Sequence, residues 1–294
     1  MNNNLFNQIV IGTRSLSGDM GSVNKVEVRN LLEQAINCGL KHFDTAPFYG
    51  NEFIDNILKD YKKDIIVDTK AGYDNKFKIK TFNFDDIKYS LDSSLKKFEN
   101  INIFYIHNPR NEIEDWDKLF DLLLSFKEQK LVSHLGISIA RGFLFDSNIM
   151  NFFDVVQDDI NLLRNTPLQY LKNYNGSIYA RSPFASGCLS GKLDLNSKFN
   201  EEDYRYDWLK EGRLNSIIKQ TNEIKKIYKG DIRKLAIQYL INKKEIEKII
   251  IGLKKIEHLS FLSDLNLRIE ESLIKKIDRL NNDRFYLNAN EQGY

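Results

Sequence analysis

The sequence predicts a closed (β/α)8 TIM barrel, a single domain over residues 1–294, and three observations carry that prediction. Short apolar runs rich in Ile and Val alternate with longer amphipathic stretches along the chain, the pattern of an α/β protein. The alternation never pauses for a linker, since the chain has only 4 Pro and no Gly/Ser-rich segment. With 294 residues, 42% of them hydrophobic and 29% charged, it can bury a sizeable core, and disorder is not expected.

Taken in order, the strands are read at Gln8–Gly12, Leu40–Asp44, Ile65–Lys70, Ile103–His107, Val132–Ser138, Phe153–Gln157, Gly176–Ala180 and Lys248–Ile251. Helical patterns fall between them at Lys25–Cys38, Glu52–Tyr61, Phe84–Phe98, Asp117–Lys130, Phe143–Met150 and Leu168–Tyr174. A longer one, Leu214–Lys243, has room for two helices. In Phe84–Phe98 the apolar residues Ile87, Leu91, Leu95 and Phe98 recur at three- and four-residue steps, one buried stripe on a helix otherwise full of Asp, Lys and Ser. The segment Arg181–Arg213 is too polar and broken for a core element and reads as a long excursion over one rim.

Composition narrows the function classes. Lys and Arg number 43 against 41 Asp and Glu, a formal charge of +2 that argues for neither a nucleic-acid nor a membrane-surface partner. Two cysteines, Cys38 and Cys188, do not make a disulfide framework, which points to a reducing compartment. Cys188 reads as a packed residue rather than a nucleophile. The start MNNNLFNQIV lacks the features of a secretory signal and no run is long enough to span a bilayer, so a cytoplasmic location is expected. The four His show no H-x-x-x-H or similar spacing and no G-x-G-x-x-G follows a strand, so neither a metal site nor a Rossmann fingerprint is expected.

Four residues at or just past successive strand ends suit proton transfer to a carbonyl oxygen: Asp44 and Tyr49 in FDTAPFYG, Lys70 in IIVDTK and His107 in IFYIHNP. A phenol has a pKa of about 10, and a neighbouring ammonium favours its phenolate and brings that value down. Lys70 is placed to supply the ammonium, and Asp44 to keep a buried lysine charged. His107 is placed to hydrogen-bond the carbonyl oxygen. Each has a bland alternative: a turn-forming Asp, a packed Tyr, a surface Lys–Asp pair, a capping His. All four types at neighbouring strand ends favour the joint reading.

On these segments the chain resembles the aldo-keto reductases, in which an Asp, Tyr, Lys and His at the ends of the second, third and fourth strands form the catalytic tetrad. Further stretches match in order: GIS at Gly136–Ser138, Gln157, SPFASGCLSGK at Ser182–Lys192 and IIGLKKIEHL at Ile250–Leu259. The resemblance implies NADP as NADPH, with NAD the alternative, and reduction of an aldehyde or ketone with Tyr49 giving the proton. It also implies that Ser138 and Gln157 hold the nicotinamide carboxamide, and that Ser182, Phe184 and Gly187 line the pyrophosphate and nicotinamide. Lys254 and Lys255, beside Gly252, meet the adenosine phosphate. Ile139 stands where family members often have Asn. Arg181 stands where an aromatic ring often stacks on the nicotinamide, a place a flat guanidinium can also take.

The expected partner is a small carbonyl compound, with a slight lean to a hydroxylated one such as a sugar; oligomeric state is open. Candidates for its pocket are Arg14, Tyr73, Arg110, Trp116 and the tail Phe285–Tyr294. Two other functions compete: a Schiff-base aldolase with Lys70 as nucleophile, and a cofactor-sensing regulatory subunit with little turnover.

Overall fold

In a computed structural model, the described residues are 3–18, 20–50, 52–74, 79–210, 212–263, 265 and 268–281. The strands are β1 (Ile9–Gly12), β2 (His42–Asp44), β3 (Ile66–Ala71), β4 (Ile101–His107), β5 (Val132–Ser138), β6 (Val155–Asp159), β7 (Ser177–Arg181) and β8 (Ile246–Ile251). The helices are α1 (Asn3–Phe6), α2 (Lys25–Asn37), α3 (Glu52–Lys59), α4 (Phe84–Leu95), α5 (Trp116–Glu128) and α6 (Ser147–Phe152). They continue as α7 (Pro167–Tyr170), α8 (Arg205–Trp208), α9 (Arg213–Ile227), α10 (Ile232–Ile241), α11 (Glu257–Ser263) and α12 (Glu271–Leu280).

Every strand pairs in parallel with the next in sequence, and β8 returns to β1, so the sheet closes into the (β/α)8 barrel. Closure registers Ile9, Val10 and Ile11 with Ile249, Ile250 and Ile251. Side chains alternate between lumen and helices, which splits the apolar residues into two groups. Val10, Ile103, Tyr105, Val155, Tyr179 and Ile250 form a cluster of their own, as lumen-facing positions should. The larger core lies between strands and helices.

Local chemistry explains the boundaries. Asn24, Asn83, Asp115, Asp146 and Asp231 each accept backbone N–H bonds at the start of α2, α4, α5, α6 and α10. In α4 the expected stripe is present, with Ile87 and Leu91 buried and Leu95 half-buried. Ser90 and Ser94 are buried beside it, and Ser94 Oγ lies 3.1 Å from Thr69 Oγ1 on β3, so small hydroxyls complete that seam.

Two parts depart from the sequence reading. The excursion after β7 is not only a rim loop, because it sinks Ala185, Cys188, Leu189, Trp208 and Leu209 into the core and buries Asp203 as well. Helices α11 and α12 follow β8, beyond the helical patterns read from the sequence. Helix α12 buries Ile277, packs Leu273, Ile274 and Leu280 half-buried against the core, and is also moored by hydrogen bonds. Asp278 accepts from Tyr239 Oη at 2.6 Å, Asn165 Nδ2 at 3.0 Å and Lys243 Nζ at 2.7 Å.

Candidate active site

The C-terminal ends of the strands open into a cleft of about 1200 Å³. Asp44 and His107 are the last residues of β2 and β4, and Lys70 is the penultimate residue of β3. Tyr49 ends a short 3-10 turn, Pro47–Tyr49, that Gly50 closes in a left-handed conformation at φ 63°. Asp44 is 3% exposed, Lys70 1% and His107 6%. Tyr49 is half-buried.

These four side chains converge. Lys70 Nζ donates to Asp44 Oδ2 at 2.5 Å and to the Thr45 carbonyl at 3.0 Å. It also lies 5.6 Å from the centre of the Tyr49 ring. The His107 ring meets that of Tyr49 edge-on, with centroids 6.0 Å apart. Phe48 and Tyr73 pack edge-on against the same imidazole and hold its orientation.

The hydrogen-bonded chain extends further than sequence reasoning took it. Gln157 Nε2 donates to Asp44 Oδ2 at 2.8 Å, and Ser138 Oγ donates to Gln157 Oε1 at 2.9 Å. The two residues assigned to the carboxamide are therefore coupled across the lumen to the Asp44–Lys70 pair. The signal in the sequence was their place at strand ends; the bond from β6 to β2 carries no sequence trace.

Electrostatics follow from burial and neighbours. Burial alone would strip the Lys70 proton, but the Asp44 carboxylate outweighs it and the ammonium is held above its ordinary pKa. Burial raises the Tyr49 phenol, and although Lys70, Arg14 and Arg181 pull it down, the net direction is up. The expectation of a lowered phenol pKa is thus met in its cause and not in its sum. His107 is held well below the ordinary imidazole value, first by burial and then by the charges of Lys70, Arg181 and Arg14, so it is neutral near pH 7. A neutral imidazole and a protonated phenol, backed by an ammonium, make a site that can bind an oxygen and give it a proton.

The residues named for a cofactor line the same cleft: Ser138, Gln157, Arg181, Ser182, Phe184, Gly187, Gly252, Lys254 and Lys255. Arg181 Nη2 donates to the Ile139 carbonyl at 2.8 Å, and its buried Nε has no partner. Ser182, Ala185, Ser186 and Gly187 all take left-handed backbone conformations, bending the loop after β7 around the cleft. Lys254 Nζ donates to the Met20 carbonyl at 2.5 Å and Arg205 Nη2 donates to the same oxygen at 3.2 Å, tying the loops after β1, β7 and β8 together. Lys192, Arg205, Lys210, Arg213 and Arg233 add to a strongly basic lining, against which the carboxylates are Asp44, Asp207 and Glu257.

Of the pocket candidates, Arg14 and Arg110 line the cleft. Tyr73 is buried beneath it against Phe48 and His107. Trp116 opens α5 and packs on Phe120, Phe145 and Phe153, away from the cleft lining. The tail Phe285–Tyr294 lies outside the described residues. Among the described residues no group of three His, Cys, Asp or Glu gathers as metal ligands would. No described helix is long and apolar enough to cross a membrane.

Comparison with known proteins agrees with this architecture. A model of the aldo/keto reductase family matches residues 8–282. An uncharacterised oxidoreductase of Bacillus subtilis (strain 168) is 24% identical over 254 residues, covering 80% of each chain. The L-glyceraldehyde 3-phosphate reductase of Escherichia coli (strain K12) is 26% identical over 277 residues, covering 82% of this chain and 79% of that protein. Among solved structures, the glycerol dehydrogenase of Gluconobacter oxydans superposes with a TM-score of 0.75 at 19% identity, over 98% of this chain and 94% of the other.

Proposed function

The chain belongs to the aldo/keto reductase family, oxidoreductases that act on small carbonyl compounds, and on that footing we propose that it reduces an aldehyde or ketone with NADPH. The observation that carries this is the buried 2.5 Å Lys70–Asp44 pair beneath Tyr49, with neutral His107 alongside. When bound, NADPH would supply the hydride for the carbonyl carbon. Tyr49 gives its phenolic proton to the carbonyl oxygen, so the C=O becomes CH–OH. The phenolate left behind is stabilised by the Lys70 ammonium and recovers a proton from water. His107 donates a hydrogen bond to the same oxygen and fixes the carbonyl's direction.

The residues present fit a nicotinamide dinucleotide. Ser138 and Gln157 offer a hydroxyl and an amide at strand ends for the carboxamide. The flat guanidinium of Arg181, with its unpartnered buried Nε, offers a surface for the nicotinamide ring. Ser182, Phe184 and Gly187 border the pyrophosphate. The basic lining that includes Gly252, Lys254 and Lys255 suits a further phosphate, which favours NADP over NAD. The aldolase reading needs Lys70 as a neutral amine, and its salt bridge keeps it an ammonium.

The test is Tyr49→Phe. Turnover of a carbonyl panel should vanish while NADPH still quenches the protein's fluorescence; undiminished turnover would remove Tyr49 from its role.

A further inference from the structure

Arg110 stands three residues beyond His107 on the loop after β4, so its Cα lies within about 10 Å of the His107 Cα by chain length alone. It lines the cleft that Tyr49 and His107 share. Its Nε is buried and bonded to nothing. The one side-chain bond it forms with a described residue is a long one, Nη2 to the Arg141 carbonyl at 3.4 Å. The nearby carboxylate on its own loop, Glu112, is engaged elsewhere, with Lys80 Nζ at 2.8 Å and the Arg110 backbone N–H at 2.6 Å. Among the described residues Arg110 therefore has no anionic partner, although a half-buried guanidinium is costly without one.

Its position separates it from the dinucleotide. The residues offered to the cofactor come from the ends of β5, β6 and β7 and the loops after β7 and β8, whereas Arg110 belongs to the loop that carries the proton-transfer end. Arg14, from the loop after β1, brings a second guanidinium to this end, stacked 4.8 Å over the Tyr204 ring.

We propose that the substrate carries an anionic group, a carboxylate or a phosphate, beside the carbonyl that Tyr49 serves, and that the Arg110 guanidinium holds it. This rests on the reading of Tyr49 as proton donor and adds to it the class of compound. A guanidinium edge presents two N–H donors to two oxygens of a carboxylate or phosphate, and the two Nη groups of Arg110 form such an edge with only the one long contact to a described residue. The anion then sets the substrate's orientation, with its carbonyl turned toward Tyr49 and His107.

The test uses non-reducible analogues, so that it reads binding apart from turnover. Glycerol, D-glycerate and glycerol 3-phosphate are titrated by calorimetry into the full chain and into Arg110→Gln. Each is measured with and without saturating NADP+, which fills the cofactor's own phosphate sites. One of the two anions should bind about ten-fold or more tighter than glycerol in the presence of NADP+, and Arg110→Gln should lose most of that preference. Glycerate ahead assigns a carboxylate and glycerol 3-phosphate ahead a phosphate. Arg110→Lys, which keeps the charge but not the fork, should fall between the two and guards against a misfolded glutamine variant. The proposal is overturned if neither anion outbinds glycerol or if Arg110→Gln keeps the preference. A protein that binds the anion through Arg110 and reduces no carbonyl keeps this inference and loses the reductase; one that reduces neutral carbonyls without anion preference does the reverse.

Discussion

At Lys70 the wiring of the site can be cut with one substitution. Lys70→Met leaves Asp44 as a buried carboxylate with Gln157 as its remaining side-chain donor, a loss of about 3–5 kcal/mol by urea unfolding, with turnover down about 100-fold or more. Gln157→Leu breaks the coupling from the other side. We expect it to raise KM for NADPH and lower kcat together, whereas a residue that touched only the carboxamide would move KM alone. His107 supplies a pH signature. Its folded pKa lies well below 6.5, so between that value and 6.5 the unfolded chain binds a proton that the folded chain does not. Stability due to this group is complete above 6.5 and is lost as pH falls through that window, by up to about 1.4 kcal/mol per pH unit. Subtracting the unfolding free energies of His107→Gln from those of the native chain between about pH 5 and pH 7 should expose this slope; a flat difference would mean that the imidazole is not held neutral. Asp44, Tyr49, Lys70 and His107 were legible because each sits at or beside a strand end, a property of the linear sequence. The Gln157–Asp44 bond and the net rise of the Tyr49 pKa were not, since both depend on which groups the closed lumen brings together and dries.

The elements were legible to the extent that their burial is one-sided. All eight strands fall within two residues of the Ile- and Val-rich runs that announce them, because a barrel strand covered on both faces is apolar over most of its length, polar residues entering mainly toward its C-terminal end. Helix α12 lies past the last strand, where the strand–helix alternation no longer calls for it, although Leu273, Ile274, Ile277 and Leu280 form an apolar stripe in the sequence that packs on the core. The excursion after β7 misled because its buried residues, Ala185, Cys188 and Leu189, are scattered among Ser and Gly. Within the strands, Gly136 on β5 matters through what it lacks. A Cβ there would overlap the Tyr105 ring, which sits 5.4 Å from Lys70 Nζ. Gly136→Ala should therefore cost about 1–3 kcal/mol in a denaturant melt and lower turnover by displacing the ring under Lys70; an unchanged melt would show that the lumen has room to spare.

For the molecule as a whole, Asp278 tests how far the outer ring of helices supports the barrel. It gathers Tyr239 of α10, Lys243 just past that helix and Asn165 of the loop after β6, partly exposed to water. Asp278→Ala should lower unfolding free energy by about 1–3 kcal/mol and leave kcat near its native value, since the cleft lies on other loops; a large fall in kcat would show that α12 bears on the site. Closure itself has a consequence for synthesis. The ladder from β1 to β8 joins Ile9 to Ile249, so a nascent chain holding its first seven strands still shows two raw sheet margins to the cell. Those margins meet only when the stretch around residue 250 clears the ribosome, and until then the polypeptide needs shelter from its neighbours.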